Sequence, residues 1–291
     1  MSDDVGLRYY AELVGRTLCA APLAFAGTAE SCGAVQVERG IVYPRMLCDP
    51  GAAGEVAGAL ALPFELAMTP RAVVDSLGHR RPEYRGLLLH AVLRAVAQDR
   101  SGRLTAFAGT WVERLTYQMA SLRWPEHPKD RIPAAIGAVV ADAVWMMLAA
   151  REAVEFGGDA SCRQQAAGAF GRLVTCQLPQ GTFLTPTGSD NPETHWYHEL
   201  VVLHAATVYA AQTGDEALAA AIARNAEFHL NETQPDHATN QPWGLAAFIR
   251  NPATRPVADG MLHAAATIGR GSGVTSILLA DALYCLRLWM A

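Results

Sequence analysis

Apolar and polar positions along the last two thirds of the chain recur with the period of an α-helix, in two distinct patterns. The stretch 133–155 is apolar nearly all round, which is typical of a helix covered by neighbours on every side. The stretch that follows Asp159 carries polar residues along one side, which predicts a helix with one face in water. The same contrast returns in 195–211 and 216–230. The pattern therefore predicts covered helices that alternate with half-exposed ones.

This contrast is part of an internal repeat. Asp159 and Pro179 recur as Asp215 and Pro235, in each case 56 residues later, and a glycine precedes each aspartate. A looser third copy runs over 102–127. Repeats of this length indicate stacked helical pairs, none of which buries its apolar face alone.

Other segments of the chain also have helical patterns. Asn191 followed by Pro192 predicts a helix start, because Asn is a good capping residue and Pro suits the first helical position. The segment 31–63 is irregular and rich in Gly and Pro, with a short hairpin expected at 34–43. No linker divides the chain, which predicts one all-α domain over 1–291. Helices are further expected at 5–20, 63–77, 85–98, 104–122, 243–250, 257–268 and 274–290.

Composition narrows the functional classes. The chain is 51% hydrophobic and 18% charged, with a formal charge of −5 and no cluster of Lys and Arg, so a nucleic-acid partner is not expected. No segment has 18 uncharged apolar residues with membrane-type flanks, so a membrane partner is not expected either. The six cysteines lie far apart, which predicts buried free thiols, and the acidic start of the chain is unlike a signal peptide. These observations predict a cytoplasmic protein.

The lengths of the connections predict where a ligand would bind. Short turns occur at 157–159 and 213–215, whereas long connections span 124–133, 179–192 and 233–243. In stacked helical pairs the short turns lie at one end and the long connections at the other. The long connections are therefore expected to surround the mouth of a cavity, where ligands usually bind.

The densest group of ionisable and aromatic residues lies at the start of the predicted helix 195–211. At 100° per residue His195, His198 and Glu199 project from one side of the helix, and Tyr197 lies between them in the sequence. Burial and mutual contact would shift their pKa values towards those useful for proton transfer. The alternative is that they are core residues that form hydrogen bonds with one another. For His204 a position in the core is the favoured interpretation. For His229 we expect a favourable interaction with the helix dipole.

The connection 233–243 supplies the second group. Asp236 and His237 are candidate acid–base residues, which makes six catalytic candidates with His195, Tyr197, His198 and Glu199. Trp243 offers a flat face on which sugar rings stack, or else is a buried cap. The candidate substrate-binding residues are Asp142, Asn191, Trp196, Asn240 and Trp243.

The chain lacks the complete sequence motifs of metal and cofactor sites. His195 and His198 have the spacing of zinc ligands, but the pattern H-E-x-x-H is absent, so no metal is expected. Phosphate-binding and dinucleotide-binding glycine motifs are absent too, and no cofactor is expected.

Together these segments resemble a known superfamily. A helix, a Thr213-Gly214-Asp215 turn, an amphipathic helix and a loop with Pro235 and Asp236 resemble the α/α-toroid proteins, which include six-hairpin glycosidases, toroid polysaccharide lyases and N-acylglucosamine 2-epimerase-like isomerases. Asn191-Pro192-x-x-His195 is similar to an epimerase-type segment, which implies that His195 matches a histidine near the sugar. The resemblance implies an α/α toroid of five or six helical hairpins.

The expected function is that of a carbohydrate-active enzyme, a glycan lyase or hydrolase, with a small molecule or a glycan as its ligand. A hydrolase requires two carboxylates, for which Asp142, Glu199 and Asp236 are the candidates. A sugar isomerase requires two opposed histidines. The stretch 177–183 also resembles the Q-x-x-x-G-x-F repeats of terpene cyclases, so a toroid for an apolar ligand stays open, as does a non-catalytic helical scaffold. The oligomeric state is not predicted.

Overall fold

The architecture comes from a computed structural model, which describes residues 4–20, 83–99, 102, 137–184, 192–233, 241–267 and 273–291. Within these ranges every regular element is helical, which confirms the all-α prediction. The helices are α1 (Asp4–Ala20), α2 (Glu83–Gln98), α3 (Gly137–Ala153), α4 (Ser161–Cys176), α5 (Pro192–Thr213), α6 (Glu216–Glu232), α7 (Leu245–Arg250), α8 (Arg255–Thr267) and α9 (Gly273–Met290). Short 3₁₀ turns span Val154–Phe156 and Pro252–Thr254.

Several expectations lie outside the described residues. These are the hairpin at 34–43, the irregular segment 31–63, the helices at 63–77 and 104–122, the third copy of the repeat, and most of the three long connections. Among the candidate site residues, Asn191, Asp236, His237 and Asn240 fall there as well.

The alternation of covered and half-exposed helices is confirmed. Helices α3 and α5 are buried over most of their length, whereas α4 and α6 bury one face each. The buried face of α4 includes Phe170, whose ring stacks on Tyr209 of α5 at a centroid distance of 4.0 Å. Full burial of a side chain of this size contributes about 1.5–3 kcal/mol. Helix packing, more than local propensity, therefore holds these repeats together.

The two repeat turns share a Gly-Asp pair but differ in backbone geometry. Gly214 has φ +69° and leads into Asp215, whose Oδ1 accepts the Leu218 N–H at 3.0 Å as a helix N-cap. In the first copy the left-handed residue is Gly157, with φ +92°, one position earlier in the repeat. There Asp159 Oδ1 accepts the Ser161 N–H at 2.9 Å. Both turns place a carboxylate at the start of a helix, where it is stabilised by free N–H groups.

The covered helices form an inner layer. Helix α3 packs against α2, α4 and α5, and α5 in turn packs against α6, α7 and α9. Among the described helices the contact between α2 and α3 is the most extensive, and Gly86 lies within it. A Cβ on Gly86 would lie 2.5 Å from Trp145 Cβ and 2.7 Å from the Met146 nitrogen.

The half-exposed helices cover the inner layer from outside. Helix α1 packs on α9 and α8, and Tyr10 of α1 donates its hydroxyl to Asp259 Oδ1 of α8 at 2.9 Å. Helix α4 packs on α3 and α6, and α6 packs on α5 and α7. None of the helices in the described part of the chain is long and apolar enough to cross a bilayer.

The cysteines only partly follow the sequence-based prediction. Cys162, Cys176 and Cys285 are free, as expected, but Cys19 at the end of α1 is disulfide-bonded. The prediction of a free thiol is therefore wrong at Cys19. Stable disulfides are typical of oxidising compartments, so the cytoplasmic prediction loses one of its arguments.

Candidate functional site

Glu199 lies fully buried on the second turn of α5 and joins three segments of the chain. Its Oε1 accepts the backbone N–H of Phe183 and, at 2.7 Å, Asn225 Nδ2 of α6, while Oε2 accepts the Leu184 N–H at 2.9 Å. A carboxylate has about four acceptor positions, and three are occupied here. One position on Oε2 is left for a further donor.

The burial of Glu199 changes its acidity. Removal from water raises the pKa of this carboxyl, and the three hydrogen bonds from Phe183, Leu184 and Asn225 lower it. Burial outweighs the hydrogen bonds, and the pKa rises to about 7. A carboxyl with this pKa can both accept and release a proton near neutral pH.

Asn225 faces Glu199 from the neighbouring helix. Its Nδ2 donates to Glu199 Oε1 and, at 3.0 Å, to the Gly181 carbonyl. Because both partners accept, the two hydrogen bonds fix the orientation of the amide. Asn225 Oδ1 is buried and has no hydrogen-bond partner within the described part of the chain.

His229 lies one turn beyond Asn225 on the same face of α6 and is also fully buried. The Thr233 hydroxyl donates to the His229 carbonyl at 3.1 Å and therefore accepts from His229 Nδ1 at 3.0 Å. This hydrogen bond leaves Nε2 as the unprotonated nitrogen of the ring. Within the described residues, His229 Nε2 has no hydrogen-bond partner.

Burial, with a smaller effect of the neighbouring His195, lowers the pKa of His229 to about 3. The imidazole is therefore neutral at physiological pH. The expected interaction of a charged His229 with the helix dipole is wrong, because the cost of burying a charge exceeds the attraction to the dipole.

Four side chains thus meet between α5 and α6: His195 and Glu199 on α5, and Asn225 and His229 on α6. We call them the α5–α6 polar cluster. Trp196 borders the cluster, with its ring centroid 4.6 Å from that of His195 and 6.2 Å from that of His229. Trp196 is half-buried, whereas the four members of the cluster are buried.

The remaining described candidates lie elsewhere. His198 is half-buried and packs at the start of α3, where a Cβ on Gly137 would be 3.4 Å from His198 Nδ1. Asp142 is buried on α3. Trp243 is completely buried against Tyr197, Trp145 and His204, as the buried-cap alternative expects. Trp243 therefore offers no free face in this structure.

A second polar group, unforeseen from the sequence, lies in the inner layer. His90 of α2 donates Nδ1–H to Glu152 Oε2 of α3 at 2.7 Å and Nε2–H to Asp281 Oδ1 of α9 at 2.8 Å. Asp281 Oδ2 also accepts from His204 Nε2 of α5 at 3.3 Å. We call His90, Glu152, Asp281 and His204 the central ion network.

The central ion network carries a buried positive charge. Burial alone would lower the pKa of His90, but attraction to Asp281 and Glu152 raises it to about 10. Burial would raise the pKa of Asp281, but the His90 charge and the hydrogen bonds from His204 and His90 lower it to about 2. The His90–Asp281 pair is therefore ionised across the physiological pH range.

The network extends to the edge of the inner layer in two directions. The Gly244 N–H donates to His204 Nδ1 at 3.1 Å, which anchors the turn before α7. Gln212 Nε2 donates to Glu152 Oε1 at 2.5 Å, and Arg151 donates to Gln212 Oε1 at 2.6 Å. A sequence signal existed for Asp281, because it is the only acidic residue in the mostly apolar stretch 274–290.

In the part of the chain that the structure describes, no three His, Cys, Asp or Glu side chains are placed to hold a metal ion together. Comparison of the chain with protein-family models, with curated proteins and with solved structures gave no match.

Proposed function

We propose that this protein is an enzyme that transfers a proton on a carbohydrate ligand at the α5–α6 polar cluster. One observation carries the proposal: Glu199 is buried one helical turn after His195, has a pKa of about 7 and keeps one acceptor position open. Buried ionisable groups cost free energy, and shifted pKa values gather at functional sites.

In this proposal Glu199 exchanges the proton, through the open position on Oε2. His229 accepts a hydrogen bond through Nε2, since a base with a pKa of about 3 is too weak to remove a proton efficiently. His195 lies beside His229 and is the second candidate for proton transfer. Access to the buried cluster requires a side chain to move, and the half-buried Trp196 contacts both histidines.

Proton removal from carbon, as in a lyase or an epimerase, fits this cluster better than hydrolysis. A hydrolase uses two carboxyl groups that flank the scissile bond. The hydrogen bonds of Glu199 in the described residues involve two backbone N–H groups and one amide, but no second carboxyl. A mechanism with two histidine bases is not favoured, because His229 is too weak a base to be one of them.

We also propose that the chain forms a single α/α toroid of five or six hairpins. The support is the two-layer arrangement of the described helices from α3 to α9, in which α3, α5, α7 and α9 are inner and α4, α6 and α8 are outer. An experimental structure of the full chain tests the closure of the ring. Inner helices that form an open row would contradict the toroid.

The test of the activity is deuterium exchange. The protein is incubated in D₂O with a panel of neutral hexoses, N-acetylhexosamines and uronates, and exchange at carbon is followed by proton NMR. We expect exchange with at least one sugar and a loss of about 10²-fold or more in Glu199→Gln, which cannot take up a proton. His263→Gln, an exposed histidine of α8, is the matched control and should keep the wild-type rate.

Absence of exchange across the whole panel, or exchange of equal rate in Glu199→Gln, would contradict the proposed activity. A second candidate is then favoured, a non-catalytic helical scaffold. The observation that favours it is the role of Glu199 in tying residues 183–184 and α6 to α5. In a scaffold, Glu199→Gln changes the stability of the fold alone.

A further inference from the structure

Two buried hydrogen-bond acceptors lie one helical turn apart on α6. Asn225 Oδ1 and His229 Nε2 both lack a partner in the described part of the chain, and both residues are 0% exposed. Positions i and i+4 lie on the same face of a helix, so both residues face α5. Nearly all buried polar groups in native proteins have a partner, and two neighbouring exceptions require an explanation.

The chemistry of both atoms is fixed by their neighbours. The Asn225 amide is oriented by its two donated hydrogen bonds, to Glu199 Oε1 and the Gly181 carbonyl, so its oxygen is the free atom. The His229 ring is oriented by Thr233, so its free nitrogen carries a lone pair. When the Glu199 carboxyl is ionised, the open position on its Oε2 is a third acceptor. Each of these three positions requires a hydrogen-bond donor.

A ligand that fills this site must therefore bring O–H or N–H groups. A carboxylate or a phosphate would place its own lone pairs against those of Asn225, His229 and Glu199, and would be repelled. Arg224, the neighbour of Asn225 in the sequence, is exposed and donates to Gln177 Oε1 at 2.9 and 2.5 Å, so its charge does not lie in the buried site. Burial disfavours a charged ligand of either sign, which leaves neutral donors, and hydroxyl groups are the neutral donors that a sugar supplies.

We propose that the α5–α6 polar cluster binds a neutral sugar through two of its hydroxyl groups, which donate to Asn225 Oδ1 and His229 Nε2. This inference rests on the proposed function in taking the ligand to be a carbohydrate. It adds two binding residues and a selection against anionic sugars such as uronates and sugar phosphates.

The test is calorimetric titration of the full chain with three neutral probes, glucose, mannose and N-acetylglucosamine, and with two anionic probes, glucuronate and glucose 6-phosphate. We expect at least one neutral sugar to bind, and both anionic sugars to bind at least about tenfold more weakly, since an unpaired charge in a buried site is strongly penalised. Binding of either anionic sugar as tightly as the neutral ones would overturn the inference.

The decisive variant is His229→Phe, which keeps a ring but removes the lone pair. We expect it to lose neutral-sugar binding by at least about tenfold while its melting temperature stays the same or rises, because a buried acceptor without a partner has been removed. His263→Phe, on the exposed face of α8, is the matched control and should bind as the wild type does.

Unchanged binding in His229→Phe would overturn the inference and would indicate that the two acceptors hold only water. A large fall in melting temperature would overturn it as well, because it would assign His229 to the fold. Sugar binding without deuterium exchange would contradict the proposed function and leave this inference standing. Exchange on a uronate without binding of any neutral sugar would support the proposed function and contradict this inference.

Discussion

Glu199 and His90 are both buried ionisable residues, and their surroundings give them opposite properties. His90 lies between two carboxyl groups, which hold its charge and raise its pKa to about 10. Glu199 has donors around it but no described positive charge in contact, so burial raises its pKa to about 7. The first residue is therefore fixed in one protonation state near neutral pH, and the second can change state.

Glu199→Gln tests the acidity of Glu199 through stability. Since the pKa is higher in the folded protein than the ordinary value of 4.5, the stabilising effect of the proton is complete below that value and is lost as the pH rises through about 7. The variant does not titrate. Its free energy of unfolding should therefore rise relative to wild type by about 3 kcal/mol between about pH 4.5 and pH 8.

Urea unfolding of both proteins at several pH values measures this difference, and any constant cost of the substitution cancels. If the free energy of unfolding of the variant falls relative to wild type as the pH rises, the three hydrogen bonds outweigh burial and hold Glu199 ionised.

His90→Leu tests the central ion network. Removing the cation leaves Glu152 and Asp281 buried without their partner, so we expect a loss of about 3–5 kcal/mol in the free energy of unfolding at neutral pH. The loss should shrink as the pH rises from 6.5 towards 10, because the raised pKa of His90 makes its contribution present at low pH and absent above about 10.

The triple variant His90→Leu, Glu152→Gln, Asp281→Asn is the control for His90→Leu. It removes the uncompensated charges together and should recover part of the lost stability. A loss below about 1 kcal/mol in the single variant would mean that the network is not an ion network, since exposed pairs contribute that little.

Sequence reasoning found only part of the polar site. His195 and Glu199 stood out because they belong to a dense group of ionisable residues at the start of an apolar helix. Asn225 and His229 did not, because α6 is amphipathic and polar residues are ordinary on such a helix. Their burial depends on how α6 is rotated against α5. That rotation depends on the helices that pack against α6, and the sequence of α6 alone does not determine it.

At the scale of elements, the helices in the described ranges agree with the predicted ones, whereas those predicted at 63–77 and 104–122 lie outside these ranges. The contrast between α3 and α4, and again between α5 and α6, follows from apolar patterning, which responds directly to burial. The turn geometry was less accessible: the left-handed glycine is Gly157 in one copy and Gly214 in the other, although the repeat aligns Gly158 with Gly214. The local conformation depends on the 3₁₀ turn Val154–Phe156, which only the first copy has.

The close contact of α2 with α3 predicts that a methyl group added at Gly86 destabilises the protein. Gly86→Ala places a Cβ inside contact distance of Trp145 and Met146, so the two helices must move apart. We expect a loss of about 1–3 kcal/mol in the free energy of unfolding.

Gly168→Ala of α4 is the matched control, because a Cβ there meets nothing within 4 Å. It should stabilise the protein by about 0.5–1 kcal/mol, since Ala loses less backbone entropy than Gly in a helix. If both variants change stability alike, the packing of Gly86 against α3 is wrong.

At the scale of the whole molecule, α1 is joined to the rest in two ways. It packs on α8 and α9, and it carries Cys19 in a disulfide. Spacing of cysteines along the sequence did not reveal this bond, because pairing depends on where distant segments meet in space.

Cys19→Ser tests the disulfide. We expect a loss of about 2–4 kcal/mol in the free energy of unfolding, together with insensitivity of the variant to added reductant. Wild type should lose stability in reductant, and Cys176→Ser, which removes a free and partly buried thiol, should respond to reductant as wild type does. Equal stability of the wild type with and without reductant would contradict a structural role for the bond.

The most direct test of a sugar site at the α5–α6 polar cluster is the nitrogen NMR spectrum of His229. We expect Nδ1 protonated and Nε2 unprotonated from about pH 8 to about pH 5, because the pKa lies well below that range. Addition of a neutral sugar that binds should then shift the Nε2 resonance, as the lone pair accepts a hydroxyl hydrogen bond. An imidazole that titrates near its ordinary pKa, or an Nε2 resonance that ignores every bound sugar, would contradict the site.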